Sequence, residues 1–292
     1  MTGEPSNKAM KAVTMKHPLP PALTNEQPAP GKRVKMVAPD YAGTEVYHSL
    51  YLPDGWQPGE RYPVIVEYTG NKHAVSGSTG EVKDACLGFA IARELPALWV
   101  VMPYVSADGQ ASMHTWWGSQ ERTTAYCLAN LQHICQDWGG NPDELFLCGF
   151  SRGAIGINYL GLHDDEVASV WLGFYSHDHY DGVREWRGTD WGAPLTHYRR
   201  EAAARLARMQ GRAALISQCG TTQSIEAYLR DNQLEQAGQF TFLSVSMGEL
   251  FPDIPNEVMV HSHTDRWLLF DSPMQATVIQ WFRDTIRDKP GR

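Results

Sequence analysis

A serine becomes a useful nucleophile only when the chain holds its hydroxyl out and a base takes its proton. Ser151 has the surroundings for the first requirement. It stands in Gly149-Phe150-Ser151-Arg152-Gly153, after the apolar run Leu145-Phe146-Leu147-Cys148 and before small residues beginning at Ala154. A strand that bends sharply into a helix lifts such a hydroxyl above the end of a sheet, at the positive end of the helix. Gly149 and Gly153 have a steric reason there, because a Cβ would strike the neighbouring strand or helix. The plain alternative is a strand-to-helix turn with a capping serine. Candidate bases lie late in the chain, where Val258-Met259-Val260-His261-Ser262-His263-Thr264-Asp265-Arg266-Trp267 carries two histidines. Candidate carboxylates and further histidines occur in Ser176-His177-Asp178-His179-Tyr180-Asp181-Gly182.

These residues need a scaffold, and the pattern supplies one. Val64-Ile65-Val66-Glu67-Tyr68, Leu98 to Met102, Leu145 to Phe150, Val167 to Tyr175, Ala213 to Ile216 and Phe240 to Val245 read as strands, mostly continuous apolar runs of the buried parallel kind. Helices are expected between them. Ser119 caps one to about Trp138, with Cys127, Leu131, Ile134, Cys135 and Trp138 at helical spacing; a last one is capped near Asp271 or Ser272. The polar groups gather at the carboxyl ends of the strands, where such sheets carry their chemistry. The fold class is therefore α/β, a mostly parallel central sheet between helical layers.

Residues 1–31 are rich in proline and poor in large apolar groups, and read as an arm beside one catalytic unit, 32–292. Residues 183–198, with Trp186 and Trp191, read as an insertion that would roof the site. Trp116 and Trp117 offer a stacking wall for a ring or sugar, with Tyr180 as a further contact.

Composition narrows the partners. Hydrophobic residues make up 42% and charged residues 20% of 292, as in soluble globular proteins. A formal net charge of -8 argues against nucleic acid or an anionic membrane. No apolar run approaches the roughly 20 residues that span a bilayer. The N-terminus lacks the apolar core of a signal peptide, so a cytoplasmic setting is expected, or a secreted one if a leader was removed. Five scattered cysteines suggest neither zinc spacing nor a disulfide framework. Oligomeric state is not legible.

The alternation of strand and helix, the mid-chain Gly149-Phe150-Ser151-Arg152-Gly153 and a late histidine before the last helix resemble the α/β-hydrolase superfamily. The likeness covers about 33–288. Its nearest flavour is the single-domain esterase group with polyhydroxybutyrate depolymerase-like, feruloyl and acetyl-xylan esterases. The resemblance implies an order of nucleophile, acid and histidine: Ser151, a carboxylate, and His263, which leads straight into the final helix as the family's histidine does. His261 then reads as a packing histidine. It also implies an oxyanion hole from the backbone N–H of Arg152 and one near Gly70. The family's usual acid position, after the strand before the last, holds Ser217-Gln218-Cys219-Gly220-Thr221-Thr222-Gln223 and no carboxylate. The order of preference for the acid is Asp181, then Glu226, then Asp178.

The activity so implied is hydrolysis of a carboxylic ester through an acyl-enzyme, with no cofactor; ten tryptophans, several in loops near the site, point to a carbohydrate-linked or aromatic ester. A non-catalytic binding protein of the same fold is the alternative, favoured by the missing acid. A serine peptidase shares the machinery. His261-Ser262-His263-Thr264-Asp265 also looks like the His-x-His-x-Asp of a dinuclear metal hydrolase, with His177 and His179 to complete it. Arg266 stands where that motif carries a histidine, and the motif comes too late in the chain, so no metal is expected.

Overall fold

The computed structural model describes residues 19–74, 78–184, 195–250 and 262–289, with 195–197 as backbone only. Among them the strands form one nine-stranded sheet. In chain order these are β1 (Leu23–Thr24), β2 (Arg33–Met36), β3 (His48–Tyr51), β4 (Tyr62–Tyr68), β5 (Leu98–Val101), β6 (Gly140–Phe150), β7 (Gly173–His177), β8 (Ala213–Cys219) and β9 (Gln239–Val245). They lie side by side as β1-β2-β3-β5-β4-β6-β7-β8-β9. From β5 to β9 every neighbour is parallel; β2 and β3 add an antiparallel flank. β1 runs parallel to β2, so residues just before 31 lie along the sheet edge.

The middle strands are apolar on both faces because both are covered. Val64, Val66, Leu98, Val100, Leu145, Leu147, Phe174 and Ile216 point to one layer, where they meet α2 (Gln120–Asp137), α3 (Arg152–Gly161), α5 (Leu195–Leu206) and α6 (Gln223–Asp231). Ile65, Trp99, Val101, Phe146, Cys148, Tyr175 and Leu215 point to the other, against α1 (Leu87–Ala92) and α8 (Pro273–Arg287). The period-two alternation along each strand thus builds two cores. Two short helices, α4 (Asp165–Ser169) and α7 (Met247–Leu250), lie in the connections.

Local chemistry sets the helix ends. Ser119 Oγ accepts the Arg122 N–H at 3.2 Å to start α2. Ser272, not Asp271, starts α8, its Oγ accepting the Gln275 N–H at 3.1 Å with Pro273 at the first helical position. One expected strand is shorter than its apolar run. Asp164 Oδ1 caps Val167 N at 2.8 Å, which makes 165–169 the helix α4, and β7 begins only at Gly173. The Asp164 side chain offers the backbone a helical start that apolarity alone does not reveal.

Between β6 and α3 the chain bends at Ser151, with φ 55° and ψ -116°. A Cβ on Gly153 would lie 2.0 Å from Tyr68 O, and one on Gly149 2.3 Å from Gly153 O. The Gly153→Ala protein is expected to lose about 1–3 kcal/mol or more of stability, as overpacked sites do, because the obstacle is backbone that cannot rotate away. Urea denaturation checks this; an unchanged midpoint would refute the crowding.

Candidate active site

Four segments meet at the carboxyl end of the sheet. The bend after β6 offers Ser151, and β7 ends in His177 followed by Asp178. The segment before the last helix brings His263, and β4 continues into Thr69 and Gly70. His263 Nε2 lies 2.8 Å from Ser151 Oγ, and His263 Nδ1 lies 2.9 Å from Asp178 Oδ2. A carboxylate on Nδ1 puts the ring proton there, which leaves Nε2 bare to accept from the serine hydroxyl.

Asp178 is held from several sides. Its own backbone is left-handed at φ 59°, its N–H donates to Ser217 O at 2.9 Å, and Oδ1 accepts from Cys219 N at 2.5 Å and Gln218 Nε2 at 3.1 Å. Burial opposes its charge, but His177, the His263 hydrogen bond and the Cys219 N–H outweigh this and hold its carboxyl at about 2. It is therefore ionised at any pH where the protein would work.

This corrects the preference drawn from sequence. Asp181 does not meet the histidine; it forms a buried ion pair with Arg205, whose Nε and Nη2 donate at 3.0 and 3.1 Å, and accepts the Tyr198 hydroxyl at 2.8 Å. Glu226 lies on α6 and accepts the Thr222 hydroxyl at 2.6 Å. Of the three carboxylates it is Asp178, ranked last, that touches His263. Asp181 instead ties the end of the 178–182 turn to α5. His261 lies outside the described residues, as do 185–194 of the expected roof.

Aromatic rings set the plane of His263. Phe150 stands 4.7 Å from it and His179 5.1 Å, both tilted. Burial, then the neighbouring His263, lowers His179 to about 3, so it stays neutral beside the His263 ring. His177 is fully buried and braces the approach of the His263 segment. Its Nε2 lies 3.0 Å from both Trp267 Nε1 and Thr264 O, and its Nδ1 lies 2.8 Å from Ser217 Oγ. Among the described residues, one cluster could hold a metal by proximity: His177, Asp178 and Cys219. All of its oxygen and nitrogen donors are already engaged, and it includes neither His179 nor His263.

On the other side of Ser151, Gly70 comes close enough that a Cβ on it would be 3.2 Å from the Ser151 Cβ. Its neighbour Arg152 was expected to matter only through its backbone N–H, and its side chain is the main surprise. The guanidinium is 1% exposed and lies 4.0 Å over the Tyr104 ring. It donates to Gly70 O at 2.9 Å, Thr69 Oγ1 and Met113 O at 3.3 Å, and Trp116 O. Two loops are thus tied to the first residue of α3. An arginine within a run of small apolar residues was the available signal. Trp116 stays half-buried against the core with φ 54°, its N–H donating to Asn71 Oδ1 at 2.7 Å. Trp117 and Tyr180 do not form a wall: Trp117 stacks on Tyr159 at 4.9 Å, and both belong to the core.

Two substitutions test these assignments. Asp181→Asn leaves Arg205 charged and buried, and should cost about 3–5 kcal/mol, read from urea unfolding. Arg152→Met should leave the packing volume but free both loops, lowering the melting temperature and loosening the Trp116 loop in amide hydrogen exchange. Unchanged exchange at 113–116 would refute the brace.

No protein-family model matches the chain, and no curated protein matches it in sequence. Solved structures do. A sugar hydrolase from Lactococcus lactis aligns over 89% of this chain and 100% of its own at 12% identity, with a TM-score of 0.58. Structures of two fungal esterases from Rhizomucor miehei include a match over 88% of this chain and 83% of that one, at 13% identity and TM-score 0.53. A thermostable esterase aligns over 87% of this chain at 10% identity and TM-score 0.53, and the chain spans 62% of its length. In sheet order, parallel centre and a serine at the bend between β6 and α3, the chain has the α/β-hydrolase fold.

Proposed function

We propose that this protein is a serine-dependent carboxylic ester hydrolase that works through an acyl-enzyme. The observation that carries this is the relay of two hydrogen bonds, Ser151 to His263 to Asp178, at 2.8 and 2.9 Å. Ser151 Oγ attacks the ester carbonyl carbon while His263 Nε2 takes its proton. Asp178 keeps the imidazole in the right tautomer and offsets the charge of the imidazolium. The carbonyl oxygen, now an anion, is met by the backbone N–H of Arg152, which has no acceptor within its helix, and by one from the segment at Gly70. His263 then gives its proton to the departing alcohol, and the C–O bond to that alcohol breaks. Water repeats the attack on acyl-Ser151 and releases the acid.

The fold supports hydrolysis in general, and its structural neighbours, two of them esterases and one a sugar hydrolase, favour an ester with a sugar nearby. Trp116, joined to Asn71 just after Gly70, suits such a group. The non-catalytic alternative rested on the missing acid at its usual position, and Asp178 beside His263 counts against it.

A fluorophosphonate probe should label the intact protein on Ser151, mapped by peptide mass, and leave Ser151→Ala unlabelled. On short-chain nitrophenyl esters Ser151→Ala should be inactive, and Asp178→Asn should lose about 10³–10⁴ in kcat, the scale of a triad whose histidine has lost its orienting carboxylate. Turnover that survives Ser151→Ala would overturn the mechanism.

A further inference from the structure

Glu67 is out of keeping with its strand. It follows Val64, Ile65 and Val66 in β4, at the middle of a sheet covered on both faces, and is 0% exposed. Its Oε2 accepts from Gly88 N and from Trp99 Nε1, each at 2.8 Å. Its Oε1 has no partner among the described residues. Arg33 is the nearby cation, yet its guanidinium lies 4.3 Å over the Trp99 indole. Its N–H groups donate to Val82 O, Lys83 O and Ser49 Oγ. A buried carboxylate oxygen left bare is costly. Packing alone would be served better by a neutral side chain, so a use outside the resting structure is the economical explanation.

Glu67 forms part of the wall of a cavity of about 60 Å³ that opens beside Gly70, Phe150 and His263. Glu81, Asp84 and Asp265 line it too, against the side chains of Arg266 and His263. The Glu81 carboxylate is shared with Lys83 at 2.7 Å, and Asp84 accepts the Thr79 hydroxyl. The space admits a compact head group and little more. We propose that this cavity is a subsite for a primary ammonium group carried by the substrate close to its scissile ester. The assignment rests on Ser151 being the nucleophile, since His263 forms both a wall of the cavity and the base.

An ammonium brings three donors on a small ion, which suits a narrow acidic recess with an unpartnered carboxylate oxygen buried behind its wall. Burial, then Asp265, pushes Glu67 up to about 7, while the Gly88 and Trp99 N–H groups and Arg33 pull the other way. A cation binds the ionised form, so affinity should rise with pH through about 7 and level off above it. Cys86 packs beside Asp265 and stays a neutral thiol, raised by burial, and contributes no charge.

The test compares kcat/KM for the nitrophenyl esters of β-alanine and of butyrate, equal in size and different by the ammonium, each divided by its uncatalysed rate. The intact protein should prefer the β-alanyl ester by about tenfold, the scale of one well-placed charge contact, and Glu67→Gln should bring the ratio near one. Asp84→Asn, on the exposed wall, should reduce the ratio in part and serves if the first variant does not fold. A ratio near one in the intact protein, or one that survives Glu67→Gln, overturns the subsite. If neither ester turns over, the nucleophile is wrong, and calorimetry on Ser151→Ala decides the cavity alone. Propylammonium binding that tightens through pH 7 and vanishes in Ser151→Ala/Glu67→Gln supports it. No binding, or equal binding of potassium, overturns it.

Discussion

The site depends on a bend that the backbone would not adopt by itself. Ser151 has φ 55° with ψ -116°, a region that costs an L-residue of order 1–3 kcal/mol. It persists because β6 and α3 are both fixed by packing before the bend is considered. β6 is paired with β4 on one side and β7 on the other, and α3 lies on the sheet through Ile155, Ile157 and Leu160. Gly153 fits against Tyr68 O only because it has no side chain. The hydroxyl is held out by the rigidity of what flanks it, which is the sense in which a strained residue marks function.

Charge is arranged around that hydroxyl in layers. Asp178 is buried, ionised and saturated with donors, His263 touches it, and His179 beside it is neutral. Among the described residues, His263 is the imidazole of the group that meets the Ser151 hydroxyl. His177 does a different job: with both nitrogens engaged, it joins β7 to Ser217 and to Trp267, and so fixes the end of the strand that presents Asp178. Three histidines in one small region therefore divide into a partner of Ser151, a neutral neighbour and a brace, according to what each touches.

Arg152 shows how one residue serves both chain directions. Its backbone opens α3 next to Ser151. Its guanidinium turns back beneath the loops at 69–70 and 113–116 and satisfies carbonyls that the irregular backbone leaves unpaired. Loops around a site need rigidity without regular structure, and a buried cation with five donors supplies it. Burial lowers the guanidinium to about 10, still far above neutral pH, so the brace keeps its charge.

The sequence by itself determined the alternating strands, the two-faced core, the serine at the turn and the late histidine. Each of these is written in neighbouring residues: apolar period, glycine on both sides of Ser151, and polar residues just after strands. Which carboxylate faces His263 was not written there. Asp178 and Asp181 are three residues apart in one loop, and the choice turned on a left-handed backbone at Asp178 and on Arg205 and Tyr198 arriving from α5 to claim Asp181. The same holds for Trp117, drawn into the core by Tyr159, and for Arg152, whose acceptors come from loops some 40 and 80 residues away in the chain. Such pairings are long-range and depend on where packed elements leave a gap, so only the tertiary structure decided them.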